Sequence, residues 1–485
     1  MNLADVIAAH AASRPDEIAL VDGERQVTYR DLGRIARHGA AHLRSLGVAA
    51  GDEVGLCLKD DADHVLAFFA AARLGATVVP IDWRAPPEER ARIARALGLK
   101  LVLVGPGLGA QIDRPVSVVN AAWHAEAARA PAGGEFPSDP DAPLMIGLTS
   151  GTTGTVKGMV VTHRQMYART LPFDAILSPG RHRYLSASPL AFSAGRGYCL
   201  THLIRGHTVV LHPPLFTADE YVEVANRVDA TVGFVVPAVL RWLLELEARD
   251  PLLPRMKALI CAGAPTHPEE KRAAAARLTP NFFEIYGTVA TGPISVLTPE
   301  DIALHAESAG RPAKSWSLEV VDEADRALEA GATGRLRLRG EALASGLHSG
   351  AAGAGSESFR DGWYYTGDLV ALDADRYLYF RGRISDIIVR GGANVYPDEV
   401  EAVLAQHPAV ASVGVVGRAS PRLGEEIVAF VVRRSAVEAD ALIAHCRARL
   451  AAYKAPAEIF FVDDLPRTTF GKVDRKGLAA LAQGR

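Results

Sequence analysis

The sequence predicts an α/β protein: a large N-terminal domain of layered, mostly parallel sheets with helices and a small β lobe, then a small α+β domain on a hinge. Three observations predict it. Short apolar runs alternate with helical stretches from residue 52 to residue 261, as strands and helices do in parallel sheets. At 485 residues the chain is too long for a single core. Around residue 385 the character changes, and the last hundred residues read as helix, two strands, helix and strand, enough for one compact domain. The expected domains are therefore 1–384 and 385–485, with the hinge at Ser385.

Taken in order, residues 3–10 have helical spacing, and 18–21 with 26–29 read as a hairpin about Asp22 and Gly23. Helices follow at 31–46, 63–74 and 88–97, and strands at 52–58, 76–80 and 101–104. Residues 121–141, rich in Ala, Gly and Pro, read as a surface excursion. Strands are expected at 145–148, 159–162, 183–186, 208–211, 231–235 and 258–261, with the clearest helices at 219–227 and 237–247. Period-two strands at 317–322 and 334–339 mark the β lobe, and the small-residue run 340–355 reads as a mobile loop. Beyond the hinge come a helix at 398–406, strands at 410–416 and 426–432, a helix at 439–450 and a strand at 459–462.

Composition excludes several classes. A net charge of −3 gives no basic footprint for nucleic acid. The longest apolar stretch, 65–81, is broken by Arg73 and Gly75 and falls short of a membrane span. Cys57, Cys199, Cys261 and Cys446 are far apart, which suits reduced thiols in a cytoplasmic protein. The histidines are scattered, and no cluster of His, Cys, Asp and Glu completes a metal site.

The chemistry centres on residues 148–158, which pack three glycines, five hydroxyl side chains and one lysine into eleven residues between two apolar strands. Backbone N–H groups and hydroxyls in such a loop cradle phosphate oxygens, and Lys157 adds a mobile positive charge. The G-x-x-x-x-G-K-[ST] pattern does not fit, because Val156 and Gly158 stand where its second glycine and its hydroxyl belong. It is a phosphate loop of another kind.

Other stretches point the same way. Residues 260–265 run from a strand into a small-residue turn, and 283–287 form a second strand ending in Tyr286 and Gly287; together they suit a flat slot for a purine. Asp368, after a glycine turn, suits two vicinal hydroxyls of a ribose, although a turn aspartate bonded to its own backbone is the commoner case. Lys472 follows a glycine on a proline-led loop of the small domain. A lysine there is ordinarily a solvated charge, but beyond a hinge it can be delivered to a site by domain closure.

As an ordered set these stretches resemble the adenylate-forming superfamily of acyl-CoA synthetases, luciferases and peptide-synthetase adenylation domains, nearest to acyl- or aryl-CoA ligases. The resemblance covers nearly the whole chain. It implies an ATP-dependent ligase in which a carboxylate attacks the α-phosphate, pyrophosphate leaves, and a thiol then displaces AMP. Thr149, Ser150, Gly151, Thr152, Thr153, Gly154 and Lys157 would hold the β- and γ-phosphates. Gly263, Ala264, Pro265 and Tyr286 would border the adenine, Asp368 and Arg383 the ribose, and Gly287 and Thr288 would also belong to the ATP site. Lys472 would bridge carboxylate and α-phosphate, with Lys157 and Thr149 as further catalytic groups, and domain rotation would then bring in Arg390, Gly391 and Gly392 for coenzyme A. The implied partners are ATP, Mg²⁺, coenzyme A, a small carboxylic acid and, at most, a second copy of the chain in a homodimer. A stand-alone enzyme loading a carrier protein and a nucleotide-binding pseudoenzyme are the alternatives.

The chain departs from the family pattern at three points. Ala290 stands where the family's Tyr-Gly-x-Thr-Glu motif has its Mg²⁺-binding glutamate, Phe192 follows Ala191 in place of an aromatic–histidine pair, and Ser385 replaces a hinge Asp or Lys. The expected acyl wall is Phe192, Ser193, Ala194, Gly195, Val236, Gly287 and Val289, suited to an uncharged acid of modest size. Arg196 can pair with a second carboxylate, as a dicarboxylate ligase needs, although a surface arginine or a structural ion pair is the commoner case, and the sequence does not choose between them.

Overall fold

The computed structural model describes residues 2–131, 133–149, 156–214, 216–247, 250–349, 358–467 and 473–483, the side chains of 149 and 349 aside. It divides into two compact units, Met1–Ser317 with Leu338–Tyr364, and Leu318–Arg337 with Tyr365–Arg485.

The first unit holds two large sheets. One has nine strands: Phe282–Thr288, Ala258–Ala262, Val232–Val235, Arg183–Ser186, Thr208–Leu211 and Ile18–Asp22 run parallel, and antiparallel strands close both edges. The other has seven, in the order Gly346–Ser349, Lys157–Thr162, Pro143–Thr149, Thr77–Pro80, Glu53–Cys57, Leu101–Val104 and Val116–Val118. The expected parallel architecture is therefore present, because apolar four-residue runs buried on both faces leave room only for crossover helices between them.

Helix Ala62–Leu74 illustrates the packing. Asp61 caps it by accepting the N–H groups of Asp63 and His64, and eleven of its thirteen residues are buried. Phe68 and Phe69 are fully enclosed, each contributing about 1.5–3 kcal/mol through burial. Helix Tyr29–Ser45 lies close against it at Gly39, where an added Cβ would come within 2.7 Å of Ala70 Cβ.

Two sequence expectations fail here. The excursion 121–141 contains a helix, Ala121–Arg129, whose N-cap Asn120 accepts from Trp123 N–H. Trp123 and Ala127, four residues apart, are its buried face, a two-residue signal too sparse to stand out among alanines and prolines. The loop expected at 340–355 includes an edge strand, Gly346–Ser349, pairing antiparallel with Lys157–Thr162; residues 350–355 lie outside the described residues.

The second unit contains strands Thr333–Arg339 and Trp363–Leu372 in part, then Leu378–Arg383 paired antiparallel with the latter. Burial alternates along Thr333–Arg339 and over 317–320, as the period-two pattern predicts, before Val321 adds a second consecutive buried residue. Its remaining strands form a sheet in which the long hairpin Val410–Ser420 and Gly424–Arg433 is flanked by Glu458–Phe461 and the short hairpin Ile388–Arg390/Ala393–Val395. Val400, Val415, Ile427, Ala429, Val431 and Leu442 make one face of its core.

Candidate functional site

The loop expected to bind phosphates lies between two strands of a β-ladder. Strands Pro143–Thr149 and Lys157–Thr162 pair antiparallel, with Leu148 opposite Gly158 and Thr149 opposite Lys157. The expected binding residues Ser150, Gly151, Thr152, Thr153 and Gly154 lie outside the described residues, as does the side chain of Thr149.

The residues expected to border a purine lie at the carboxyl ends of two adjacent parallel strands, where open α/β sheets bind their ligands. Ala258–Ala262 and Phe282–Thr288 are in register with Cys261 beside Glu284, so the Gly263–Ala264–Pro265 turn and Tyr286–Gly287 leave the sheet side by side. A buried acid supports that turn from below: Glu284 accepts the N–H of Thr266 at 3.1 Å and pairs with Lys271 at 2.5 Å. Lys271 also donates to Ser308 O at 2.8 Å. Burial pushes the Glu284 carboxyl up, against the lowering pull of Lys271. Sequence reasoning passed over this pair; its signal is a lone glutamate inside the apolar run 282–285.

Gly287 admits no side chain, because a Cβ there would sit 2.2 Å from Gly292 O. Thr288 N–H donates to Thr291 Oγ1 at 3.1 Å, and Thr291 Oγ1 donates to Gly292 O at 2.8 Å, so a buried threonine bonds this turn internally. Ala290 is 1% exposed; its carbonyl accepts from Arg169 Nη2 at 2.7 Å and Ala344 N–H at 2.8 Å. Among the described residues no group of three His, Cys, Asp or Glu side chains can hold a metal. A Mg²⁺ ion suits this setting as a passenger on nucleotide phosphates, since it keeps several waters and needs few protein carboxylates.

The expected acyl wall is partly gathered. Ser193, Ala194 and Gly195 open helix Ser193–Ile204, with Phe192 as its N-cap beneath the Arg84 guanidinium. Ser193 Oγ and Val289 Cγ1 converge on Gly147, which the sequence reading did not single out. Val236 lies across from Gly263, 3.8 Å from where a Cβ there would be. Arg196 corrects the sequence expectation: it is 3% exposed, and its bonds go to the carbonyls of Leu190 and Ala191, both 2.9 Å, and to Met145 Sδ.

The other expected residues belong to the second unit. Asp368 and Arg383 are register partners joined by a 3.0 Å hydrogen bond from Arg383 Nε. Ser385 is exposed in a single 3₁₀ turn, Ile384–Asp386. Arg390 ends a strand, and Gly391 and Gly392, at φ +59° and +83°, form a two-residue hairpin turn that needs left-handed backbone at both positions. Lys472 lies outside the described residues.

Three residues beyond it, Arg475 opens the last helix and is clamped by acids. Its Nη1 and Nη2 donate to both oxygens of Glu401 at 2.9 Å, Nη2 also to Asp398 at 2.9 Å, and Nε lies 3.4 Å from Asp386. Burial pushes the Glu401 carboxyl up to about 7 despite Arg475, and raises Asp398 as well. The sequence offered no separate signal for this cluster.

The chain matches known proteins along nearly its whole length. Residues 7–348 fit the AMP-binding enzyme family and residues 399–472 the AMP-binding enzyme C-terminal domain. Indoleacetate–CoA ligase of Aromatoleum aromaticum is 32% identical over 99% of this chain and 98% of its own length. A fatty acid–[acyl-carrier-protein] ligase of Streptomyces coeruleorubidus is 31% identical, covering 97% and 94%. The o-succinylbenzoate CoA synthetase of Bacillus subtilis, solved with its acyl-adenylate intermediate, superposes with a TM-score of 0.86 at 28% identity, over 98% of this chain and 97% of that one. The same enzyme is also known with ATP and a magnesium ion. With matched segments spanning both the phosphate hairpin and the C-terminal sheet, the chain belongs to the AMP-binding, adenylate-forming enzymes.

Proposed function

We propose that the chain is an AMP-forming acyl-CoA synthetase: it activates a small carboxylic acid with ATP, Mg²⁺ and coenzyme A. One observation carries this. Gly147, on the strand that leads into the phosphate loop, meets Val289, just past Tyr286 and Gly287 on the purine side. In this reading the strand that enters the phosphate cradle and the segment that follows Tyr286 and Gly287 are neighbours within the first unit, which supports a shared nucleotide site.

In the first step a carboxylate oxygen attacks the α-phosphorus and pyrophosphate departs. Two anions must approach, so cations and backbone donors are required to offset their repulsion. In this reading Thr149–Gly154 and Lys157 hold the β- and γ-phosphates, Gly263–Pro265 and Tyr286–Thr288 border the adenine, and Asp368 and Arg383 engage the ribose. Lys472 supplies the charge between carboxylate and α-phosphate. Phe192–Gly195, Val236, Gly287 and Val289 line the acyl group. In the second step the thiol sulfur of coenzyme A attacks the acyl carbon and AMP leaves, with Arg390, Gly391 and Gly392 beside the pantetheine arm. We take residues 1–384 and 385–485 as the functional halves, with Ser385 as the pivot.

The setting we infer is the cytoplasm, where the four buried free cysteines stay reduced. Among the described residues no helix is long and apolar enough to cross a membrane. A homodimer is part of the same reading and is checked by sedimentation. The test of function is pyrophosphate release across a panel of acids, with and without coenzyme A. Release that depends on one acid and rises with coenzyme A supports the ligase. Acid-dependent release indifferent to coenzyme A favours a carrier-protein acceptor, as in the Streptomyces relative. ATP binding without turnover would defeat the reading.

A further inference from the structure

Buried charges in proteins are paired or liganded, yet Arg196 is a buried guanidinium whose bonds all go to uncharged groups. Burial alone lowers its titration, to about 10, so it remains a cation at neutral pH. Asp60, which holds the same turn, is already engaged by the N–H of Leu190 and by Trp83 Nε1. His64 supplies no negative charge, and burial with Arg196 nearby holds it down to about 4. Arg169, equally enclosed, is a second cation, held to about 9 by burial and by Arg196.

The position of Arg196 sharpens the problem. It is the fourth residue of helix Ser193–Ile204, at the end where the helix dipole disfavours a cation and favours an anion. Phe192 gives that end no side-chain cap, so its first N–H groups are left for another acceptor. Arg196 Nη1 bonds the carbonyls of Leu190 and Ala191 and Nε bonds Met145 Sδ, while Nη2 lies on the Gly147 side. A Cβ at Gly147 would lie 3.2 Å from Val289 Cγ1, 3.3 Å from Ser193 Oγ and 3.8 Å from Arg196 Nη2. The Ser193 hydroxyl and the Arg196 Nη2 thus converge beside Gly147 in the expected acyl wall.

We propose that Arg196 receives a second anionic group on the acyl substrate, so that the acid activated carries a carboxylate, or a like anion, at its far end. This rests on the acyl-CoA synthetase reading and replaces the uncharged acid expected from the sequence. Arg196 thereby acts as a specificity determinant: a neutral acid would leave its charge uncompensated, whereas a diacid supplies the missing partner.

The experiment compares kcat/KM for size-matched pairs, glutarate against valerate and isophthalate against 3-methylbenzoate, read as pyrophosphate release in wild type, Arg196→Gln and Arg196→Lys. A charge-assisted hydrogen bond corresponds to a preference of about 10- to 100-fold for the diacid. That preference should vanish in Arg196→Gln and weaken in Arg196→Lys, which keeps the charge but loses the planar fork. Equal use of both members by wild type overturns the proposal, as does an unchanged preference in the glutamine variant. Should that variant not fold, an unchanged preference in Arg196→Lys overturns it equally. If no acid releases pyrophosphate, the ligase reading itself fails, and the melting temperature decides on Arg196. A rise with glutarate or isophthalate, but not with the monoacids, upholds the anion site; no rise overturns it.

Discussion

Asp368 and Arg383 face each other across adjacent antiparallel strands, with the carboxylate 1% exposed and the guanidinium side chain half exposed. Asp368 N–H also bonds Thr366 Oγ1 at 3.0 Å, fixing the backbone on the same side. The acid is thus desolvated and oriented before any ligand arrives. If it grips a ribose, Asp368→Ala should raise KM for ATP by about 10- to 150-fold, the equivalent of one hydrogen bond to a charged group. Steady-state kinetics with ATP varied checks this, and an unchanged KM would remove Asp368 from the nucleotide site.

Lys472 should act on one half-reaction only. Lys472→Ala is expected to slow acyl-adenylate formation by about 10²- to 10³-fold, as loss of one oriented donor does. ATP affinity should change far less. Single-turnover adenylation and equilibrium ATP binding, measured on the same variant, separate the two effects. Adenylation at the wild-type rate would show that the lysine plays no part in it.

Lys271 and Glu284 make a stability prediction that does not depend on function. Lys271→Met strands a carboxylate that is 6% exposed, which should destabilise the first unit by about 3–5 kcal/mol. Adding Glu284→Gln should restore part of this, because the stranded charge is then gone. Denaturant midpoints of the single and double variants provide the measurement; equal midpoints for the two would contradict the account.

Two buried histidines, His202 and His207, bring their Nδ1 atoms within 3.0 Å, so they share one proton between them and resist a second. Burial, together with the neighbouring His182, holds His207 down to about 3 and His202 well below 6.5. The unfolded chain therefore binds protons that the native state refuses once the pH falls below about 6.5. The stability they contribute is complete above that pH and declines as the pH drops toward the folded values. His207→Gln cannot take up that proton. Its stability relative to wild type should improve by about 1.4 kcal/mol per pH unit below 6. Chemical denaturation of both proteins from pH 7.5 to 5 measures the difference, and a constant difference would show that His207 does not titrate as inferred.

Much of this was legible in the chain. Four-residue apolar runs such as 101–104 and 208–211 are the strands they promised, since burial on both faces leaves one reading for them. The adenylate-forming set was readable from its order along the chain; residues 263–265 directly follow strand Ala258–Ala262 and Arg383 ends strand Leu378–Arg383, whereas Asp368 lies inside Trp363–Leu372. What escaped were features made by tertiary neighbours. Arg196 looks like a surface residue until helix Ser193–Ile204 turns it inward, and Glu284 looks misplaced until Lys271 arrives from a helix thirteen residues earlier. Gly147 draws no notice in a strand, because its importance lies in the side chains that converge above it.

The acidic clamp on Arg475 also sets a reach. Lys472 is separated from it by three peptide units, and a fully extended chain spans at most about 3.3–3.6 Å per residue. The lysine's backbone thus cannot stray more than roughly 10–11 Å from a guanidinium-bearing residue tied to Asp386, Asp398 and Glu401. If Lys472 supplies the charge we propose, that charge is leashed to the folded body of its domain. On the proposed mechanism an Arg475 variant would lengthen the leash, and so slow adenylation while leaving every proposed substrate-binding residue unchanged.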